Sequence, residues 1–146
     1  MREDYTMAMR ALRGYETWTD AEQLSRMTFD LEATPTIFKV FNDRQTLPIT
    51  DTELYPGWRH TPGSEHIRSW LGVPLIAGGR VFGLCSLDMV RPGGFTEEHV
   101  RLAEALVAQA ATALQNAQLF EELRLGPPSC RCCPVAWSWC KRPSAA

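Results

Sequence analysis

The sequence predicts the α/β class in its α+β form, a β-sheet with helices and a long C-terminal helix. Three observations predict it. Two β-compatible runs, Trp70 to Ile76 and Val81 to Val90, are joined through Gly78-Gly79. Glycine reaches positive φ without a Cβ clash, so the pair reads as an antiparallel hairpin. An Ala-rich segment without Gly or Pro then runs from Glu97 to Leu125. Upstream, shorter apolar runs take strand-like or helix-like spacing by turns.

Tyr5 to Arg13 alternates weakly, with Tyr5, Met7, Met9 and Ala11 on one side, and reads as a strand ending at Gly14. Thr19 to Met27 suits a short helix, with Thr19 at the N-cap and Glu22 at the capping-box position. Thr34-Pro35 opens a second helix. Pro35 takes the favoured first helical position, and Ile37, Val40 and Phe41 form one face. Thr46 to Ile49 is a short strand, followed by Asp51. Leu54 to His66 is a loop of turn formers, Pro56, Gly57, Pro62 and Gly63, that also carries Tyr55, Trp58, Arg59 and His60. Loops of this length without structure of their own are often functional lids.

Both parities of Val81 to Val90 carry apolar residues, which predicts a central strand covered on two faces. Arg91-Pro92-Gly93-Gly94 ends it. Thr96 is the expected N-cap of the long helix, Glu97 and Glu98 favour its positive terminus, and Phe95 and Val100 have hydrophobic-staple spacing. About 29 residues give roughly 44 Å, longer than a small domain needs. Leu102, Leu106, Ala110, Ala113, Leu114 and Ala117 are expected to form the stripe that lies on the sheet. Leu119, Phe120 and Leu123 are too large and too displaced to continue it. They are expected to leave the domain and pair with the helix of a second copy.

SWLGVPL, the Gly turn, RVFGLCSLD and GGFTEEHVRLAEALVAQAATALQNAQLFEEL resemble the C-terminal half of a GAF domain, of the kind found in bacterial sensor histidine kinases. The resemblance spans Tyr5 to Leu125 and is strongest from Ser69 on. It implies an antiparallel sheet with helices packed on its faces, a small-molecule pocket on one side, and the Leu54–His66 loop over that pocket. ALRGYE resembles the end of the family's second strand, which implies a helix and a strand ahead of Tyr5. Residues 1–125 are thus expected to be a sensory domain truncated at its N-terminus, with a sheet edge left bare.

The tail, residues 126–146, holds four of the five cysteines and two of the five tryptophans. Its Cys130, Cys132, Cys133 and Cys140 lack ordinary zinc-loop spacing. With codons chosen freely, a frame shifted by two nucleotides from Gly126 encodes AAELPLLSRRLELVQEAERR. That string resembles the linker into the phosphoacceptor helices of one family of sensor histidine kinases. The tail is therefore expected to be disordered.

A length of 146 residues and a 45% apolar fraction fit one domain with a real core, and a net charge of −2 gives no reason to expect nucleic-acid binding. No apolar run approaches the ~20 residues of a membrane span, and the N-terminus is not a signal peptide, so direct membrane contact is not expected and a cytoplasmic setting is.

The chemistry is sparse. His60, His66 and His99 do not form a metal set, the aspartates are dispersed, and the Gly pairs are turns rather than phosphate cradles. Cys85 lies mid-strand without a nearby base; a small buried hydrophobe is its ordinary role, and facing the pocket is the functional one. Trp58, Tyr55, Trp70 and Phe38 are the pocket candidates, because large aromatics near a loop over a sheet make a concave apolar site. Arg68 and Ser69 are candidates for its polar contacts. The expected function is a non-catalytic, small-molecule-sensing module of a two-component signalling protein that relays through its last helix to a dimeric output domain. No cofactor or ligand is named by the sequence. The alternatives are a ligand-free dimerisation module and a reductase of oxidised methionine.

Overall fold

The computed structural model describes residues 6–15, 22, 26–61 and 63–125 of the chain. The element order is β1 (Thr6–Ala8), β2 (Thr28–Asp30), α1 (Pro35–Asp43), β3 (Leu47–Ile49), β4 (Ser69–Ala77), β5 (Arg80–Met89) and α2 (Glu97–Leu125). All strand pairs are antiparallel. The strands form a two-stranded sheet, β1-β2, and a three-stranded sheet in the order β3-β4-β5.

The hairpin is as the glycines require. Gly78 and Gly79 both have positive φ, 55° and 73°, the pattern of a turn whose twist matches the strands it joins. A β-bulge follows. Leu75 pairs with Gly83 and Ile76 with Val81, leaving Phe82 without a partner position in that register. The extra residue explains why Phe82 and Cys85, three apart, pack into one cluster rather than on opposite faces. Pro74 interrupts nothing, because β3 pairs with β4 only across Trp70, Leu71 and Gly72.

The sheet has two unlike faces. On one, Leu71, Val73 and Leu75 meet Ala103, Val107 and Ala111 of α2, with Phe95, Val100 and Leu114 at the margin. On the other, Trp70 packs with Val40, Ile49 and Ile67, flanked by Leu47, Tyr55, Trp58 and Leu84.

Several expectations need correction. The sheet-facing stripe of α2 is not the one anticipated: Leu102, Leu106, Ala110, Ala113 and Ala117 are exposed, and only Leu114 belongs to both. The staple explains why. Phe95 and Val100 reach the core cluster, and once Val100 is inward the helical period brings in Ala103, Val107, Ala111 and Leu114. Among the described strands β5 is not central but the last of its sheet, and β1 pairs with β2 in a separate one. Thr28–Asp30 is a strand where the sequence pattern predicts none. Most of the helix expected over Thr19 to Met27, and the whole tail from 126, lie outside the described residues.

The cap of α2 carries a variation. The Thr96 hydroxyl accepts from the His99 amide at 3.3 Å, and the Thr96 amide donates to His99 Nδ1 at 3.2 Å. His99 thus fills the place of Glu or Gln in a capping box. At the far end of the sheet, a Cβ on Gly78 would sit 2.8 Å from Gln115 Nε2, so α2 passes the hairpin tip at that residue. The ten residues beyond, roughly 15 Å of helix, carry the exposed Leu119, Phe120 and Leu123 past it.

Candidate functional site

The candidate site lies on the sheet face turned away from α2. Trp70 is its floor. Its indole lies along β4 over Gly72, where a Cβ would overlap the six-membered ring. Any other residue at position 72 would displace that ring, so this glycine serves the site rather than the turn chemistry of the chain. The loop from Thr52 folds back against the floor. Thr52 is buried; its hydroxyl donates to the Ile67 carbonyl at 2.6 Å and its amide to the Arg68 carbonyl at 2.9 Å. A Trp58 N–H to Tyr55 carbonyl bond of 3.1 Å closes the next turn and brings Trp58 to Trp70, ring centroids 5.8 Å apart at 60°.

Polar groups run along this face. Trp70 Nε1 donates to Ser86 Oγ at 2.7 Å, and Ser86 Oγ lies 3.3 Å from Asp88 Oδ1. Burial pushes the Asp88 carboxyl up to about 7. Trp58 Nε1 is buried and has no hydrogen-bond partner among the described residues. Such an orphan donor costs about 1–3 kcal/mol, so it calls for an explanation. Beside the site, Arg68 Nη2 reaches both Asp51 oxygens at 3.3 and 3.4 Å and Glu53 Oε2 at 3.3 Å, which pins the start of the loop to the start of β4.

Of the sequence candidates, Tyr55, Trp58 and Trp70 come together and Arg68 stands at their margin. Three others are placed elsewhere. Phe38 is half exposed on α1, whose inward residues are Thr36, Ile37 and Val40, one step round the helix. Ser69 is fully buried and donates to the Arg91 carbonyl at 2.9 Å, tying down the β5–α2 connection. Cys85 sits on the α2 face of the sheet, where burial raises its thiol. Ser86 and Asp88 join the site although the sequence reading did not single them out for it. The signal available was their place two and four residues beyond Leu84, on the same strand parity. An open cleft of about 400 Å³ lies away from the aromatic face, lined in part by Arg44, Pro74, Ile76 and Glu104. No group of His, Cys, Asp and Glu among the described residues could hold a metal ion.

The family profile of the GAF domain matches residues 3–114. The chain belongs to the GAF family. Among curated proteins, the anaerobic nitric oxide reductase transcription regulator NorR of Escherichia coli O1:K1 / APEC is 40% identical over 67 residues, 42% of this chain. The match spans only 13% of that regulator's length. Among solved structures, the GAF domain of a phosphoenolpyruvate-protein phosphotransferase from Coxiella burnetii is similar with a TM-score of 0.63 and 19% identity, covering 71% of this chain and 62% of that one. The type II free methionine-R-sulfoxide reductase of Thermoplasma acidophilum has a TM-score of 0.53 and 14% identity, covering 58% of each chain. At such identities the likeness is one of fold. No helix among the described residues is long and apolar enough to cross a membrane.

Proposed function

We propose that this chain is a non-catalytic sensory module of a cytoplasmic bacterial signalling protein, and that a small molecule binds its aromatic face. The observation that carries the reading is the Trp58 indole N–H, buried beside Trp70 and without a hydrogen-bond partner among the described residues. A ligand with a hydrogen-bond acceptor would satisfy that donor and stack on the rings. The signal then has a short way to travel. Trp70 faces the site and its chain neighbour Leu71 packs on α2, so a shift of β4 moves both. From there α2 relays to a dimeric output domain, in a histidine kinase of a two-component system or, as the likeness to NorR suggests, in a transcription regulator. The helix end at Leu119, Phe120 and Leu123 is the homodimer contact in this reading.

The test is titration of the intrinsic tryptophan fluorescence against a metabolite panel. A saturable change that Trp58→Phe weakens supports the reading. A panel that changes neither emission nor melting temperature, with a dimer intact, favours the ligand-free dimerisation module. A reductase of oxidised methionine has less support: Cys85 is the one cysteine among the described residues, it faces α2, and its raised thiol disfavours the reactive thiolate. Turnover abolished by Cys85→Ser would establish it instead.

A further inference from the structure

The open cleft of about 400 Å³ lies along the edge of β4, beyond the end of β3. β3 pairs with β4 only as far as Gly72, so from Val73 on that edge has no strand beside it among the described residues. Val73 lines the cleft from one face of the strand, and Pro74 and Ile76 line it from the other, which gives it an apolar floor. Two opposite charges also line it, Arg44 at the end of α1 and Glu104 on α2. No ion pair joins the two, and Glu104 has no other partner among the described residues. The guanidinium is held in place from both ends. Arg44 caps α1 in the left-handed region, φ 56° and ψ 33°, where glycine is usual and a side chain is strained. Its Nη1 donates to the Gly79 carbonyl at the hairpin tip at 3.3 Å, and its other N–H donors have no partner among the described residues. The adjacent Asp43 is engaged elsewhere, with Lys39 Nζ at 2.7 Å on one oxygen and Asn42 Nδ2 at 3.0 Å on the other.

We infer that this cleft is a second binding site, apart from the aromatic face, for a small zwitterion. The ligand's carboxylate would meet Arg44, its ammonium Glu104, and its apolar body the floor of Val73, Pro74 and Ile76. A guanidinium takes a carboxylate through paired N–H donors, the strongest such contact available to a side chain. A simple anion would gain Arg44 but face Glu104, and a simple cation would gain Glu104 but face Arg44, so only a ligand with both charges is drawn by both walls. The cleft is at the small end of ligand pockets, which suits a free amino acid or a short peptide. A longer peptide added as a strand is disfavoured, because Pro74 has no N–H to give a ladder and the open edge ends with β4 at Ala77. The cleft stands independently of the aromatic face. A zwitterion in it would tie α2 to the end of α1 beside the hairpin tip.

Equilibrium dialysis of the full chain against radiolabelled L-leucine and leucyl-leucine tests this, one probe for each source of the zwitterion. Isocaproate and isoamylamine, which each keep one charged end of leucine, serve as competitors. At least one zwitterion should bind saturably, and the competitors should be about tenfold weaker or worse. Arg44→Gly suits the left-handed backbone and Glu104→Gln changes an exposed helix position, so both variants should keep the wild-type circular dichroism. Each should lower the affinity about tenfold or more, and Arg44→Lys, which keeps the charge without the paired donors, should fall between. If neither zwitterion binds, the second site is overturned and the aromatic-face reading is untouched. Binding that survives both Arg44→Gly and Glu104→Gln also overturns it; a further loss with Trp58→Phe would then assign the zwitterion to the aromatic face. A competitor as strong as its parent zwitterion overturns the ligand class.

Discussion

The two faces of one sheet are built to different ends. Under α2 the contacts are small and apolar: Ala103, Val107 and Ala111 lie on Leu71, Val73 and Leu75. The orphan amide of α2, Gln118 Nε2, lies beyond this cluster and past the hairpin tip. Across the strand thickness, the Trp70 face holds an indole hydrogen-bonded to a hydroxyl, a carboxyl pushed up to about 7 and a buried N–H without a partner among the described residues. Well-packed apolar faces confer stability, whereas half-satisfied polar ones cost it and persist where they serve a function. The difference identifies the aromatic face, and not the α2 face, as the part of the sheet held short of its best packing.

Four changes would break or sharpen that contrast. Asp88→Asn should have the largest effect, and its sign depends on pH. The folded carboxyl titrates above its ordinary value of 3.8, so ionisation is harder in the folded state. Below the ordinary value the group is neutral in both states and costs nothing. As pH rises through the window from 3.8 to about 7, stability is lost, by up to about 4 kcal/mol, and the loss levels off above it. Urea unfolding at pH 5 and pH 8 should show the wild type weaker at pH 8 and the variant nearly level. Leu71→Ala, at a fully buried position on the α2 face, should cost about 3 kcal/mol at either pH. Gly72→Ala should cost about 1–3 kcal/mol and red-shift the tryptophan emission as the Trp70 ring is lifted; unchanged emission would mean the ring does not lie over that glycine. Trp58→Phe should have the smallest effect, within about 1 kcal/mol and of either sign, since it removes ring area together with an unsatisfied donor. A loss above ~3 kcal/mol there would mean that the donor has a partner after all, and the two faces would no longer differ.

Local chemistry was the legible part. The hairpin, the entry to α1 at Pro35, the Thr96 cap and the Phe95–Val100 staple all follow from short-range rules and stand as expected. What escaped was rotation and pairing. A helix with apolar residues all round offers two stripes at almost the same spacing, and only the staple residue Val100 says which goes inward. Thr28–Asp30 is three residues long, too short for alternation to show, and the outer place of β5 among the described strands is a matter of pairing, which alternation does not record. At the site, aromatic residues announced Tyr55, Trp58 and Trp70, but Ser86 and Asp88 depend on strand register across the hairpin. Cys85 misled because the bulge at Phe82 is invisible in the alternation of the sequence.

Gly78 carries one more consequence. With the Gln115 side chain lying beside it, the hairpin tip can serve as a fulcrum for the helix beyond. A tilt of about 10° about that point swings the tip of an arm roughly 15 Å long by roughly 2–3 Å. Small motions at the aromatic floor would thus arrive there magnified, to the size of the helix shifts by which interfaces repack.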